Sequence, residues 1–380
     1  MSNKWSKIFL CSILSINSSG AAAGLLLGPD LLGYSAVAGA AISIAADAVV
    51  DNNLGAVAAV AIGARTETAN IYSGNAAVAI GANATTGNTY AGMAVSLGAD
   101  ASAANIYAGA ATTVGANASA DNIYSGAAIT LGAGASAEDV YAAAAITNAG
   151  VVNSSSAGNT TTTTTAINSY QETLDLAKAL EQIDSAQKSL FNIKKDYDVM
   201  TNLGSYNFDA GVYEGSALTI VAGSTITLDG LFEENPLWIF NLSAAMTVGA
   251  NTTFEIINAG AGAGVIWNLG GALDLGAGTS FLGTAFVTGA VTGATSSVSC
   301  GSLFATAAIG IGSVTSTNCL GSETWAGSIN GLSDGIQVID SFAINSRSAA
   351  VSVPEPSTGF LMGAILIVLA SVKSNRKNKC

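Results

Sequence analysis

The chain has 380 residues, no histidine, only 10% charged residues and a formal net charge of −13. Without histidine there is no ordinary Ser-His or Cys-His nucleophile pair and no imidazole metal ligand, which argues against an enzyme. Between residues 24 and 352 only Arg65, Lys178, Lys188, Lys194, Lys195 and Arg347 offset 24 Asp and Glu, a net charge near −18. A surface of that sign repels phosphate backbones and excludes nucleic acid as a partner.

The chain opens with Lys4 and Lys7, an apolar run from Ile8 to Ile16, and Ala21-Ala22-Ala23. That order predicts a secretory signal peptide over residues 1–23, because the apolar run is well short of the ~20 residues a membrane span needs. The mature domain then runs from 24 to 351.

Residues 42–149 repeat themselves. The motif AVAIGAN (Ala77 to Asn83) returns as AVSLGAD, ATTVGAN and AITLGAG, and Tyr72, Tyr90, Tyr107, Tyr124 and Tyr141 keep step with it. A period of about 17–18 residues is too short for a helical pair and suits one turn of a β-solenoid with Gly, Asn and Asp corners. Strand side chains alternate, so the outer residues of each triplet point inward and the middle one outward. Down the copies the outward residue reads Ser43, Ala61, Ala79, Ser96, Thr113, Thr130, Thr147. Asp100, Asp121, Glu138 and Asp139 read as corner and surface residues rather than as a carboxylate pair for catalysis.

Residues 150–168, polar and closing on six threonines, read as a linker. Ser169 and Glu172 fit a capping box, and Leu176, Ala179, Leu180, Ile183, Ala186, Leu190 and Ile193 recur at helical spacing. One helix over 169–196 is expected, with that stripe against the solenoid. A second coil set follows over 203–321, with Thr227, Thr247, Asp274, Thr292 and Gly310 as outward residues, then an extension over 322–351. Calcium loops of the GGxGxD type are absent, and no cofactor or metal site is expected. The trio Asp229, Glu233 and Glu234 offers at most a weak cation site.

Residues 352–380 hold Pro354-Glu355-Pro356, an apolar segment at 359–372 and a basic end, Lys373, Arg376, Lys377 and Lys379. The bland reading is a C-terminal membrane anchor. The three parts together resemble the PEP-CTERM sorting signal of Gram-negative bacteria. That resemblance implies an exosortase as export partner, only transient membrane contact, and a secreted or cell-surface destination.

The runs DAGVYEGSALTIVAGSTITLDG, NPLWIFNLSAAMTVGANTTF and VIWNLGGALDLGAGTSFLGTAFVTGAVT resemble the microbial ice-binding-like family, as does LLGYSAVAGAAIS (Leu31 to Ser43). The resemblance covers roughly Leu31 to Gly321. It implies a mainly β fold, a β-solenoid with one long helix alongside, and ice as the ligand. The regular repeats before the helix are longer than this family leads one to expect. They also resemble the AVAIG repeats in heads of trimeric bacterial adhesins. Two functions therefore stand: ice binding through a flat Thr/Ser face, or a surface adhesin or matrix protein without ice activity. Ser96, Thr113, Thr130, Thr147, Thr227, Thr247 and Thr292 are the candidate contacts. Cys300 and Cys319, about one coil apart, are a disulfide candidate in an oxidising compartment, the alternative being two buried thiols.

Overall fold

The computed structural model describes residues 24–25, 31, 33–171, 176–260, 262–315, 337–339 and 343–345. The chain winds a parallel β-solenoid whose 35 described strands form one continuous sheet. It starts in the middle. Tyr34–Ala38 and Ile42–Ile44 open the upper coils, each of which pairs in parallel on the one before, up to Val151–Ala157. Two helices, α1 (Thr160–Gln171) and α2 (Leu176–Phe191), then carry the chain back. The lower coils start at Tyr197–Asp198 and climb until Leu303–Ala305 pairs with Tyr34–Ala38 and Ile309–Thr315 pairs with Ile42–Ile44. That seam joins the two halves into one register.

Each upper coil has three faces. On the first, triplets such as Val95–Leu97 and Ile129–Leu131 are buried, exposed, buried, as alternation requires. The corner that follows is left-handed: Asp47, Arg65, Asn83, Asp100, Asn117 and Asn251 have φ between 56° and 60°. Asn and Asp enter this region at small cost. Arg65 is the exception, and its guanidinium grips the Asp47 carboxylate of the coil below at 2.6 and 2.7 Å. Glycine before the corner is needed for close approach: a Cβ on Gly98 would lie 2.6 Å from the Ala82 nitrogen. A second ladder links coils by side-chain amides, with Asn70 donating to Asn53 and Asn105 to Asn88, both at 3.0 Å, and Asn122 to Asn105 at 2.8 Å.

The interior follows from coil length. Upper coils of 17 or 18 residues enclose little space and fill it with Val, Ile, Leu and Ala. Lower coils lengthen, with Thr219 paired to Thr247 and Thr247 to Asp274, and Trp238, Phe240, Trp267 and Phe281 fill the wider bore. Both indole nitrogens find carbonyls, Trp238 on Phe208 at 3.0 Å and Trp267 on Leu282 at 2.8 Å, as buried N–H groups must.

The region expected as a linker is structured. Val151–Ala157 continues the repeat register by one more coil, and α1 begins inside the threonine run, where Asn159 accepts a hydrogen bond from the Thr162 amide and caps the helix. Ser169 is therefore not a cap. It sits inside α1 and donates to the Ala166 carbonyl, while Glu172 lies outside the described residues. Polar composition misled because the final coil is the solenoid's upper end: Asn148 and Ser155 stand in register with the inward Leu131 and Val140, a polar end coil of the kind repeat proteins require.

The helices cover the third face. The expected stripe is buried, apart from a half-buried Leu180. α1 lies over upper-coil strands, and α2 crosses Tyr34–Ala38 to reach Leu237–Leu242 and Gly264–Leu269. A buried polar clamp fixes α2. Asn241 donates to the Leu190 carbonyl at 2.7 Å, Asn268 to the Gln187 carbonyl at 3.1 Å, and Gln187 to Leu269 and Thr288. Gly24–Leu25, Gln337–Ile339 and Ala343–Asn345 form a separate antiparallel sheet. The signal segment 1–23 and the sorting segment 352–380 lie outside the described residues.

Candidate functional site

With the third face under the helices, two faces are free among the described residues. The first carries the outward triplet positions, and the seam makes them a single column through both halves. From the lower end it runs Asn202, Thr219, Thr247, Asp274, Thr292, Gly310, then Ser43, Ala61, Ala79, Ser96, Thr113, Thr130 and Thr147. Six of the seven candidate residues share it. Thr227 does not: it lies on Thr225–Glu233, in register with Glu255, and donates to that carboxylate at 2.9 Å. The misplacement has a physical cause. Thr225–Glu233 is a nine-residue strand on the neighbouring face, so alternation alone could not say which face its hydroxyl joins.

Beside this column runs a row of alanines. Ala245, Ala272, Ala290, Ala308, Ala41, Ala59, Ala77, Ala94, Ala111, Ala128 and Ala145 each accept the backbone bond that starts a triplet in the coil before. A second row, Ala64, Ala82, Ala99, Ala116 and Ala133, accepts from the corner amides. From Ser96 to Thr147 the face is thus alanine, hydroxyl, alanine on successive rungs, without a charged strand residue. The hydroxyls of Ser96, Thr113, Thr130 and Thr147 make no side-chain hydrogen bond among the described residues. Lower down the strip changes character, since Asp274 interrupts it and takes the Thr292 hydroxyl at 2.6 Å.

The second free face was not singled out from the sequence. Its hydroxyl column comprises Thr225, Thr253, Ser280, Ser297 and Ser313 below, and Thr85, Ser102, Ser119 and Ser136 above. The signal was present in NATT, DASA, NASA and GASA after each corner, but it alternates Ser with Thr and lacks the conspicuous triplet. This face also bears Glu67, Asp121, Glu138 and Glu255, and part of its hydroxyl set is internally bonded, Ser119 to Ser102 at 3.2 Å.

Asp229 accepts from the Leu231 amide of its own turn and from the Asn258 side chain on the paired strand, and these bonds hold its carboxyl below the usual range. Among the described residues no group of three potential metal ligands is found, and no helix is long and apolar enough to cross a membrane. Cys300 is buried and disulfide-bonded; Cys319 lies outside the described residues.

Residues 137–317 match the family described as Ice-binding-like. The matched stretch takes in both helices and the lower coils, and leaves most of the regular upper coils outside it. An ice-binding protein from Nostoc sp. (strain HG1) is 30% identical over 114 residues, 29% of this chain and 42% of that protein. The chain thus spans under half of that relative's length. Among solved structures, an ice-binding protein from the Antarctic ascomycete Antarctomyces psychrotrophicus is 17% identical with a TM-score of 0.40, over 78% of this chain and 99% of that one. An ice-binding domain from Shewanella frigidimarina is 23% identical with a TM-score of 0.32, over 55% and 94%.

Proposed function

We propose that this protein is a non-enzymatic ice binder that acts through its alanine–threonine face, with the strip from Ser96 to Thr147 making the contact. The observation that carries the reading is the chemistry of that strip: one unengaged hydroxyl per rung, alanine on both sides, no charge. Ice offers no counter-charge, so a carboxylate pressed against it loses hydration without return. Rungs stack about 4.8 Å apart, a repeat fixed by the backbone. Alanine has no rotamers to lose and threonine is stiff at χ1, so adsorption orders little that is not already ordered. The family match and the Nostoc relative support the same ligand. The charged second face and the Asp274 stretch are the poorer surfaces on the same argument.

The test is thermal hysteresis and ice recrystallisation on residues 24–351. Thr113→Tyr and Thr130→Tyr are expected to abolish activity, while Thr292→Tyr and Ser119→Tyr retain most of it. Exposed changes of this kind alter stability by about 0.5 kcal/mol, so lost activity separates from lost fold. Full activity in Thr113→Tyr and Thr130→Tyr, with loss in Ser119→Tyr, would move the site to the second face. An inactive parent hands the protein to the adhesin or matrix reading.

The ends support an exported, surface-delivered protein processed by an exosortase at Pro354-Glu355-Pro356. Mass spectrometry of cell-derived material should then lack peptides from both 1–23 and 373–380. Cys300 pairing with Cys319 is part of the same proposal, since closing a loop of that length in an oxidising compartment adds roughly 3 kcal/mol; two free thiols in the unreduced, unfolded protein would contradict it.

A further inference from the structure

The seam coil lacks a corner. In a regular coil four residues separate the inward end of the triplet from the next outward residue, as Gly81 to Ala84 do between Ile80 and Thr85. In the seam coil Gly312 alone separates Ile311 from Ser313, although the flanking registers hold: Ile311 pairs with Ile44 and Gly293, Ser313 with Ser297, and Val314 with Val50. The missing turn leaves a cavity of roughly 240 Å³ between the corner of the coil above, Ala46 and Asp47, and the corners below, with Ser280, Thr295, Ser297 and Ser313 on its walls.

The backbone records what was removed. Elsewhere the amide that opens the second face bonds the corner carbonyl of the coil below, as Glu67 does with Ala48 and Ser102 with Ala84. At the seam the residue in that place is Gly312, which belongs to no corner, and the Val49 amide donates to the Ser313 hydroxyl at 3.1 Å. The carbonyls of Ala64, Ala82, Ala99 and Ala116 each receive a corner amide from the coil below, whereas the Ala46 carbonyl receives none among the described residues. The hydroxyls of Ser280, Thr295 and Ser297 likewise make no side-chain bond there. A slot one rung high, roughly 4.8 Å of missing strand, is thus bordered by one acceptor and three groups that both donate and accept.

We propose that this slot binds a neutral polyhydroxylated ligand, one saccharide residue of a glycan. Its lining has no aromatic or large aliphatic side chain, so an apolar ligand gains nothing there. The Asp47 carboxylate at its rim is already held by Arg65, which leaves no net charge to recruit a cation or an anion. A pyranose ring whose hydroxyls donate and accept satisfies both the carbonyl and the serine and threonine hydroxyls.

The test uses the full-length chain and ligand-observed NMR with the methyl glycosides of glucose, mannose, galactose and N-acetylglucosamine. Saturable binding of at least one is expected. Ser280→Trp, which fills the slot from an exposed wall, and insertion of Ala-Asn-Ala after Gly312, which rebuilds the corner, should each weaken it tenfold or more. Thr130→Tyr, on the other face, should leave it unchanged. Absence of saturable binding by all four glycosides overturns the proposal, as does unchanged binding in Ser280→Trp; if the insertion does not fold, Ser280→Trp alone decides.

Discussion

The upper and lower coils share one backbone register and one outward column, yet they are filled on different principles. In the upper half, rungs barely wider than their own backbones are closed by small aliphatic side chains, and every rung is nearly the last one repeated. In the lower half, Phe240 stacks on Trp267 with centroids 4.0 Å apart, and Phe254 and Phe281 meet edge to face at 5.1 Å. The difference separates stability from flatness. Aromatic packing tolerates coils of unequal length but lets loops, bulges and an aspartate into the outward face, whereas uniform small rungs give a flat surface. On the proposed reading, it is the plain half that offers the repeat a crystal would match.

This contrast fails first if the two interiors respond alike to truncation. Trp267→Ala removes a fully buried indole and its bond to Leu282, and should cost about 3–5 kcal/mol. Ile129→Val in the upper bore should cost only about 0.5–1.5 kcal/mol. Denaturant unfolding measures both, and equal losses would mean the aromatic layer does not anchor the fold.

The helix clamp comes next. Asn241→Ala takes a buried partner from the Leu190 carbonyl and from the Asn268 amide, so about 1–3 kcal/mol should be lost. Hydrogen exchange in α2 should rise more than in the upper coils. Uniform acceleration along the solenoid would show that α2 is not a separable layer.

How much of this was legible depended on whether a signal was local. The triplets are local, so Ser96, Thr113, Thr130 and Thr147 could be placed on one face from alternation alone, and the stripe from Leu176 to Ile193 found its burial. The seam is not local. Nothing in AAIGIGSVT says that its partner is Ile42–Ile44, more than 260 residues earlier, so the two hydroxyl sets read as separate columns and alternation alone places Thr227 on the wrong face. Polar composition hid the last coil at Val151–Ala157, since an end coil is polar for the same reason a linker is. Gln187, Asn241 and Asn268 carried no sequence signal, because buried amides are recognised by what they touch.

A smaller effect of opposite sign tests the upper bore itself. Thr112 takes the inward place that Val95 and Ile129 hold on neighbouring rungs, and its buried hydroxyl has no partner among the described residues. Thr112→Val keeps the shape and removes that penalty, so stability should rise by about 1 kcal/mol. A loss on this substitution would mean that the upper interior is not as apolar as its packing indicates.

The smallest effect concerns the single cation of the upper corners. The Arg65 guanidinium bonded to Asp47 holds that carboxyl below the ordinary carboxylate range. A depressed carboxylate contributes its stability above the unfolded pKa and loses it as pH falls through the folded one. The pair is fully exposed, so solvent screens it, and at neutral pH the Arg65→Ala protein should unfold within error of the parent. What should change is the titration: carboxyl NMR should place Asp47 higher in Arg65→Ala than in the parent, and any stability gap should close as acid protonates Asp47. An unmoved Asp47 titration would mean that Arg65 occupies its left-handed corner without the carboxylate's help.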